Sequence, residues 1–222
     1  MAALNINHSA WNDVGNTLMH LRPYQLALLD GVRAGWDTFS KQLAIAPTGS
    51  GKTICFCHMA KEQAEKGERT LVLVDQSELA FQTVDKMQRA VGLKCEVEKA
   101  ELSASRTAVV VVATVQSMIN RLDEWPADHF GLVIADEADK SICASWLKVL
   151  RHFDGSANVC GFTATPNRND KKSLGSYYEN IAFEATLFDL IQPGKWAFEE
   201  TNDPAVAEQW REHGMNVEEI SE

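Results

Sequence analysis

Residues 46–53 read Ala-Pro-Thr-Gly-Ser-Gly-Lys-Thr, directly after the apolar run Leu43-Ala44-Ile45. A chain that passes from a strand through two nearly adjacent glycines into a helix has few ways to fold. Gly49 and Gly51 allow backbone conformations closed to other residues, so that successive N–H groups turn inward. The helix that follows adds the positive end of its dipole. Such a loop suits an anionic group, and above all a phosphate. Pro47, Thr48, Gly49, Ser50 and Gly51 form the cradle, Lys52 reaches β- and γ-phosphates, and Thr53 offers its hydroxyl to Mg²⁺. The pattern ordinarily starts on Gly, where this chain has Ala46. The competing reading is a Gly-rich turn that binds nothing.

A phosphate loop of this type needs a second metal anchor, an acid at the end of another buried strand. Leu132-Val133-Ile134-Ala135-Asp136-Glu137 supplies it: Asp136 holds the metal, and Glu137 orients or deprotonates the attacking water. Two adjacent acids alone could be no more than the first turn of a helix. Placed after an apolar strand, they read as partners of the loop. Lys52, Asp136 and Glu137 are therefore the candidate catalytic residues, with Thr53 and Asp136 as the candidate metal ligands.

The rest of the chain repeats the strand–helix alternation. Strands are expected at 42–46, 70–75, 108–114, 131–135 and 159–163. Uninterrupted runs such as Val109-Val110-Val111-Val112 suit strands covered on both faces, as in a parallel sheet. Between them lie helical faces. One starts at Pro23 and carries Leu28, Val32, Trp36 and Phe39; a second carries Ala80, Val84, Met87 and Val91, with Ser77 as N-cap; a third carries Ile142, Trp146, Val149 or Leu150, and Phe153. The expectation is an α/β fold, a mostly parallel sheet with helices on both faces and ligands along the edge of strand C-terminal ends. Residues 1–20 read as an extension, 21–196 as the domain, and 197–222 as an acidic tail in which 203–214 could form a short helix.

The net charge of −10 argues at first against a nucleic-acid partner, but from Trp196 onward there are eight acids and one base, Arg211. The body of the chain is thus near neutral, and a local basic groove remains open. Cys55, Cys57, Cys95, Cys143 and Cys160 are scattered without metal or redox spacing and read as buried thiols. No apolar run reaches the length of a membrane span and no secretory leader is visible, so a cytoplasmic location is expected.

With these motifs in order, the sequence resembles the first RecA-like domain of a superfamily 2 helicase. Leu21-Arg22-Pro23-Tyr24-Gln25 resembles the adenine-reading segment upstream of the loop; Leu73-Val74-Asp75-Gln76-Ser77-Glu78-Leu79 resembles motif Ia, and Ala113-Thr114-Val115-Gln116-Ser117 motif Ib. Asp136-Glu137-Ala138-Asp139 stands as motif II, and Gly161-Phe162-Thr163-Ala164-Thr165-Pro166 resembles motif III. The letters D-E-A-D suggest the DEAD-box RNA helicases, but the other motifs resemble the branch of excision-repair helicases and type I and III restriction motor subunits, which act on DNA. Asp139 stands where that branch usually has His.

The resemblance implies that Arg22 and Gln25 lie on the adenine side and favour ATP. It implies that Ser77, Thr114 and Gln116 touch the backbone of a tracked strand, DNA more than RNA, and that Thr163 and Thr165 link the ATP and nucleic-acid sites. Many relatives carry a base near positions 75–76; its absence implies weaker strand binding by this domain alone. Such motors close ATP between two RecA-like domains, the second supplying arginine fingers. Only 56 residues follow Pro166, so the second domain is expected from elsewhere, in cis or in trans. The expected function is the ATP·Mg²⁺-binding half of a DNA helicase or translocase. The alternative is a stand-alone ATP-dependent nucleic-acid- or protein-binding module with little turnover.

Overall fold

The computed structural model describes residues 21–165 and 174–191. The 1–20 extension, Pro166 and the acidic tail with its expected 203–214 helix lie outside them.

Among the described residues seven parallel strands form one sheet in the order β3-β4-β2-β5-β6-β1-β7. They are β1 (Lys41–Ile45), β2 (Thr70–Val74), β3 (Cys95–Glu98), β4 (Val110–Thr114), β5 (Leu132–Asp136), β6 (Asn158–Thr163) and β7 (Asn180–Glu184). The five expected strands are present and form the contiguous centre of the sheet, with shifts of one or two residues at their ends. The two edge strands, β3 and β7, were not expected. β3 has only four residues, with Glu96 and Glu98 at alternate positions, and β7 carries a polar residue at each end. Both lack the unbroken apolar run that marks the centre.

Period-2 alternation along each central strand divides the core between the two faces. Ala44, Val72, Val74, Val112, Ile134 and Phe162 pack on one side with α1 (Pro23–Gly35), α2 (Lys52–Glu65) and α3 (Ser77–Val91). Leu43, Ile45, Leu73, Val111, Val133 and Val159 pack on the other with α4 (Val115–Asn120) and α5 (Ala144–Phe153). Thus α2 and α3 return the chain across one face, and α4 and α5 across the other. A final short helix, α6, spans Leu187–Ile191.

Three helix boundaries differ from expectation. Helix α1 ends at Gly35 with Trp36 as C-cap, and Phe39 lies beyond it, because the N–H groups of Thr38 and Phe39 both turn back onto the Gly35 carbonyl. The N-cap of α3 is Gln76 in an extended conformation, so Ser77 is its first helical residue rather than its cap. Ile142 precedes α5, whose N-cap is Cys143, yet it is buried in the same cluster as Trp146 and Phe153. Cys55, Cys57 and Cys160 are buried; burial pushes the first two thiols up to about 12. Among the described residues no helix is long and apolar enough to cross a membrane.

Candidate nucleotide site

Because β1, β6 and β5 are neighbours, the loops leaving their C-terminal ends lie side by side. These are the 46–53 loop, the Thr163 segment and the Asp136-Glu137 turn. The sheet order therefore assembles three segments that are far apart in the chain.

The loop departs from β1 at Ala46 and enters α2 at Lys52. Gly49 and Gly51 have φ of 83° and 81°, and Gly51 is the left-handed N-cap of α2. Thr48 and Gly49 are exposed, Pro47, Gly51, Lys52 and Thr53 half-buried, and Ser50 buried. Lys52 Nζ donates to the carbonyls of Ala46 at 2.8 Å and Pro47 at 3.1 Å, across the mouth of the loop. Burial lowers its pKa, and Asp136 is the foremost of the acids that oppose this. The Ser50 hydroxyl is buried and has no hydrogen-bond partner.

The segment before the loop braces it from behind. Tyr24 Oη donates to the Ser50 carbonyl at 2.7 Å, and Gln25 Nε2 donates to the same carbonyl at 3.0 Å. Gln25 Oε1 accepts from Arg22 N–H at 2.8 Å, so both ends of the Gln25 amide are engaged. Arg22 is exposed, and its Nη1 reaches Tyr24 Oη at 3.3 Å. Sequence reasoning placed Gln25 beside a base; the geometry adds that it, with Tyr24, fixes the loop. The bond depends on Gly51, since a Cβ there would stand 2.4 Å from Gln25 Nε2. We expect Gly51→Ala, strained in φ and clashing with Gln25, to weaken nucleotide binding about tenfold through ~1–2 kcal/mol of loop strain. A nucleotide titration checks this, and unchanged affinity would remove the constraint.

Motif II shows a second left-handed backbone. Glu137 has φ 60°, a conformation costly for a residue with a side chain and retained where the surroundings impose it. It turns the chain from β5 into a 3₁₀ turn, Ala138–Lys140. Asp136 is half-buried; burial, and then the Glu137 carboxylate, push its pKa up, while Lys52 pulls it down. Such a carboxylate gains most from a nearby cation. Among the described residues no three His, Cys, Asp or Glu side chains gather to hold a metal alone. A divalent ion here would be shared by Thr53 and Asp136 with the phosphates, the usual habit of Mg²⁺.

Lys140 was missed by sequence reasoning. Its ammonium bridges a Glu137 carboxylate oxygen and Asp75 Oδ2, the latter at 2.9 Å, and these two hydrogen bonds hold its pKa well above the ordinary range. It thus ties motif II to motif Ia. The three-residue spacing from Glu137 was the available signal, but only the tertiary position of Asp75 shows the bridge.

The Thr163 hydroxyl, 1% exposed, donates to Asp139 Oδ1 at 3.1 Å and accepts from Thr165 N–H at 3.1 Å. Asp139, in place of His, therefore still joins motif II to motif III. Thr165 is exposed at the end of that segment. Ser77 is half-buried and Gln116 exposed. Thr114 is buried as the N-cap of α4, its hydroxyl donating to Ser117 Oγ at 2.9 Å.

Residues 18–168 match the family described as type III restriction enzyme, res subunit. The chain is 32% identical over 198 residues to a Schizosaccharomyces pombe protein named as the mitochondrial ATP-dependent helicase irc3, covering 82% of this chain and 33% of that protein. The chain spans about a third or less of the length of the curated relatives it matches. The Pyrococcus furiosus Hef helicase domain superposes with a TM-score of 0.62 at 23% identity, covering 74% of this chain and 38% of that one. A nuclease-deletion mutant of the type ISP restriction-modification enzyme LlaGI, in complex with a DNA substrate mimic, gives 0.64 at 18% identity, covering 91% of this chain and 23% of that one. The fold is the RecA-like one of helicase domains.

Proposed function

From the premise that this chain belongs to the type III restriction enzyme res subunit family, we propose that it is the ATP-binding motor domain of a DNA helicase or translocase. The observation that carries this is the joint placement of Lys52, Asp136 and Glu137 at the ends of β1 and β5, which flank β6, with Lys52 and Asp136 shifting each other's pKa.

The loop fits a triphosphate. The unpartnered Ser50 hydroxyl, the two left-handed glycines and the head of α2 supply donors without competing acceptors. Lys52 exchanges its two loop carbonyls for phosphate oxygens. Thr53 and Asp136 hold Mg²⁺, which when bound neutralises phosphate charge. Glu137, steadied by Lys140, orients the attacking water and takes its proton. Arg22 and Gln25 border the base. The Thr163–Asp139 bond, and the Thr165 N–H bond to the same hydroxyl, relay the state of this site past the end of β6 to Thr165, toward Ser77 and Gln116 as contacts of a tracked strand.

The arginine fingers that stabilise charge at the transferring phosphoryl group come from a second RecA-like domain. The 222-residue chain is then expected to bind ATP·Mg²⁺ and hydrolyse it slowly, with turnover rising ~10³–10⁵-fold when a second domain and DNA are supplied. An ATPase assay with single-stranded DNA, duplex DNA and RNA, with and without that domain, tests this. Fast DNA-stimulated turnover by the chain alone would overturn the two-domain requirement.

A further inference from the structure

The turn between β3 and β4 is built at some cost. Glu98, with no exposed surface, is paired with Arg121, and its other oxygen accepts from Ala104 N–H at 3.1 Å. Arg121 also holds the carbonyls of Ala100 and Leu102, the latter at 3.0 Å, and Ala100 takes a left-handed φ of 40°. Ser117 Oγ, from motif Ib, accepts the Ala100 N–H at 2.9 Å. Reciprocal hydrogen bonds between Lys99 and Leu102 close the turn. A buried charge, a guanidinium clamp and a strained alanine thus fix a short exposed segment.

What the segment presents is an aromatic edge. Lys99 Nζ lies 4.9 Å from the centroid of the Phe81 ring, and Phe81 remains 47% exposed on α3, one helical turn after Ser77. Leu102 is also 47% exposed. The pairings Glu98↔Ala113 and Val74↔Thr114 bring the ends of β3, β4 and β2 to one sheet edge, so this ridge is continuous with motifs Ia and Ib.

We propose that Phe81, with the Lys99 ammonium over one face of its ring, is a stacking site for one base of a single-stranded nucleic acid. This rests on the nucleic-acid reading above and deepens it. Every base has a π-face, and an exposed ring fixed beside a cation is what sequence-independent single-strand binding uses. Asp75 and Gln76 supply no cationic side chain in motif Ia, but Lys99, just past the end of β3, brings one to the same edge. Glu78, three residues before Phe81 on α3, and Glu101, two after Lys99, are also exposed and lower the positive potential near the ridge. The ring is therefore the larger contributor to affinity, and Lys99 the smaller.

The test measures binding of oligothymidine to the full chain at low salt, beside an abasic oligomer of equal length. Phe81→Ala is expected to weaken oligothymidine binding about tenfold and to leave abasic binding unchanged. Lys99→Ala is expected to weaken both and to reduce the slope of log affinity against log salt by about 0.7. Undiminished ATP binding shows that the variants are folded. If the unsubstituted chain binds oligothymidine and Phe81→Ala binds it equally well, the stacking site is overturned and the ridge is left to a protein partner. If the unsubstituted chain binds neither oligomer, the nucleic-acid reading itself fails and takes this proposal with it.

Discussion

Replacing Lys52 by alanine abolishes detectable binding of ATP·Mg²⁺. The ammonium stands across the mouth of the loop, 2.8 and 3.1 Å from two carbonyls that cannot neutralise a phosphate. Once it is gone, the triphosphate keeps only the uncharged donors of the loop while Asp136 and Glu137 remain close by, so the site loses the cation that offsets them. Truncating one member of a desolvated charge pair costs about 2–5 kcal/mol, or roughly 30- to 5,000-fold in affinity. The fold survives, because Lys52 is half-buried at the head of α2 and outside both core clusters. A calorimetric titration of the variant, with a melting curve beside it, measures the effect. Unchanged affinity in a folded variant would refute the assignment of the loop.

The features legible in the sequence are those whose signal is local. The apolar runs at the centre of the sheet announce themselves because strands covered on both faces need no polar alternation. The glycines at 49 and 51 do so because the loop needs left-handed backbone, which they adopt. Less legible is whatever depends on where two distant segments meet. Lys140 looks like an ordinary charge in a helical turn until Asp75 is seen beside it, and nothing local to Gln25 shows that its amide also braces the Ser50 carbonyl. Thr114 shows its threonine hydroxyl at the head of α4 only in the fold, where it accepts from Ser117 N–H as N-cap and donates to Ser117 Oγ. Lys99 lies 18 positions beyond Phe81, and nothing in that spacing hints at the contact. Strands β3 and β7 escaped for the opposite reason: edge strands are half-exposed, and their mixed composition resembles that of loops.

Glu137→Gln separates binding from chemistry. The amide keeps the size of the carboxylate and an oxygen that can still accept from Lys140, so the left-handed turn at 137 and the path of the chain out of β5 are retained. Asp136, the metal-side acid, is untouched, and loses the neighbouring charge that raises its pKa. Affinity for ATP·Mg²⁺ is therefore expected to stay within about threefold, a change of under 1 kcal/mol. The amide cannot accept the proton of the attacking water, and turnover by the chain joined to a second domain is expected to fall ~10²–10⁴-fold. Lys140→Ala provides the companion measurement. It leaves the base in place but frees it from the Asp75 bridge, so it should lower turnover less than Glu137→Gln does and add little when the two are combined. Single-turnover hydrolysis beside equilibrium binding reads both variants. Should Glu137→Gln lose binding in step with turnover, Glu137 belongs to the nucleotide cradle rather than to the water, and the base must be sought elsewhere along the strand ends.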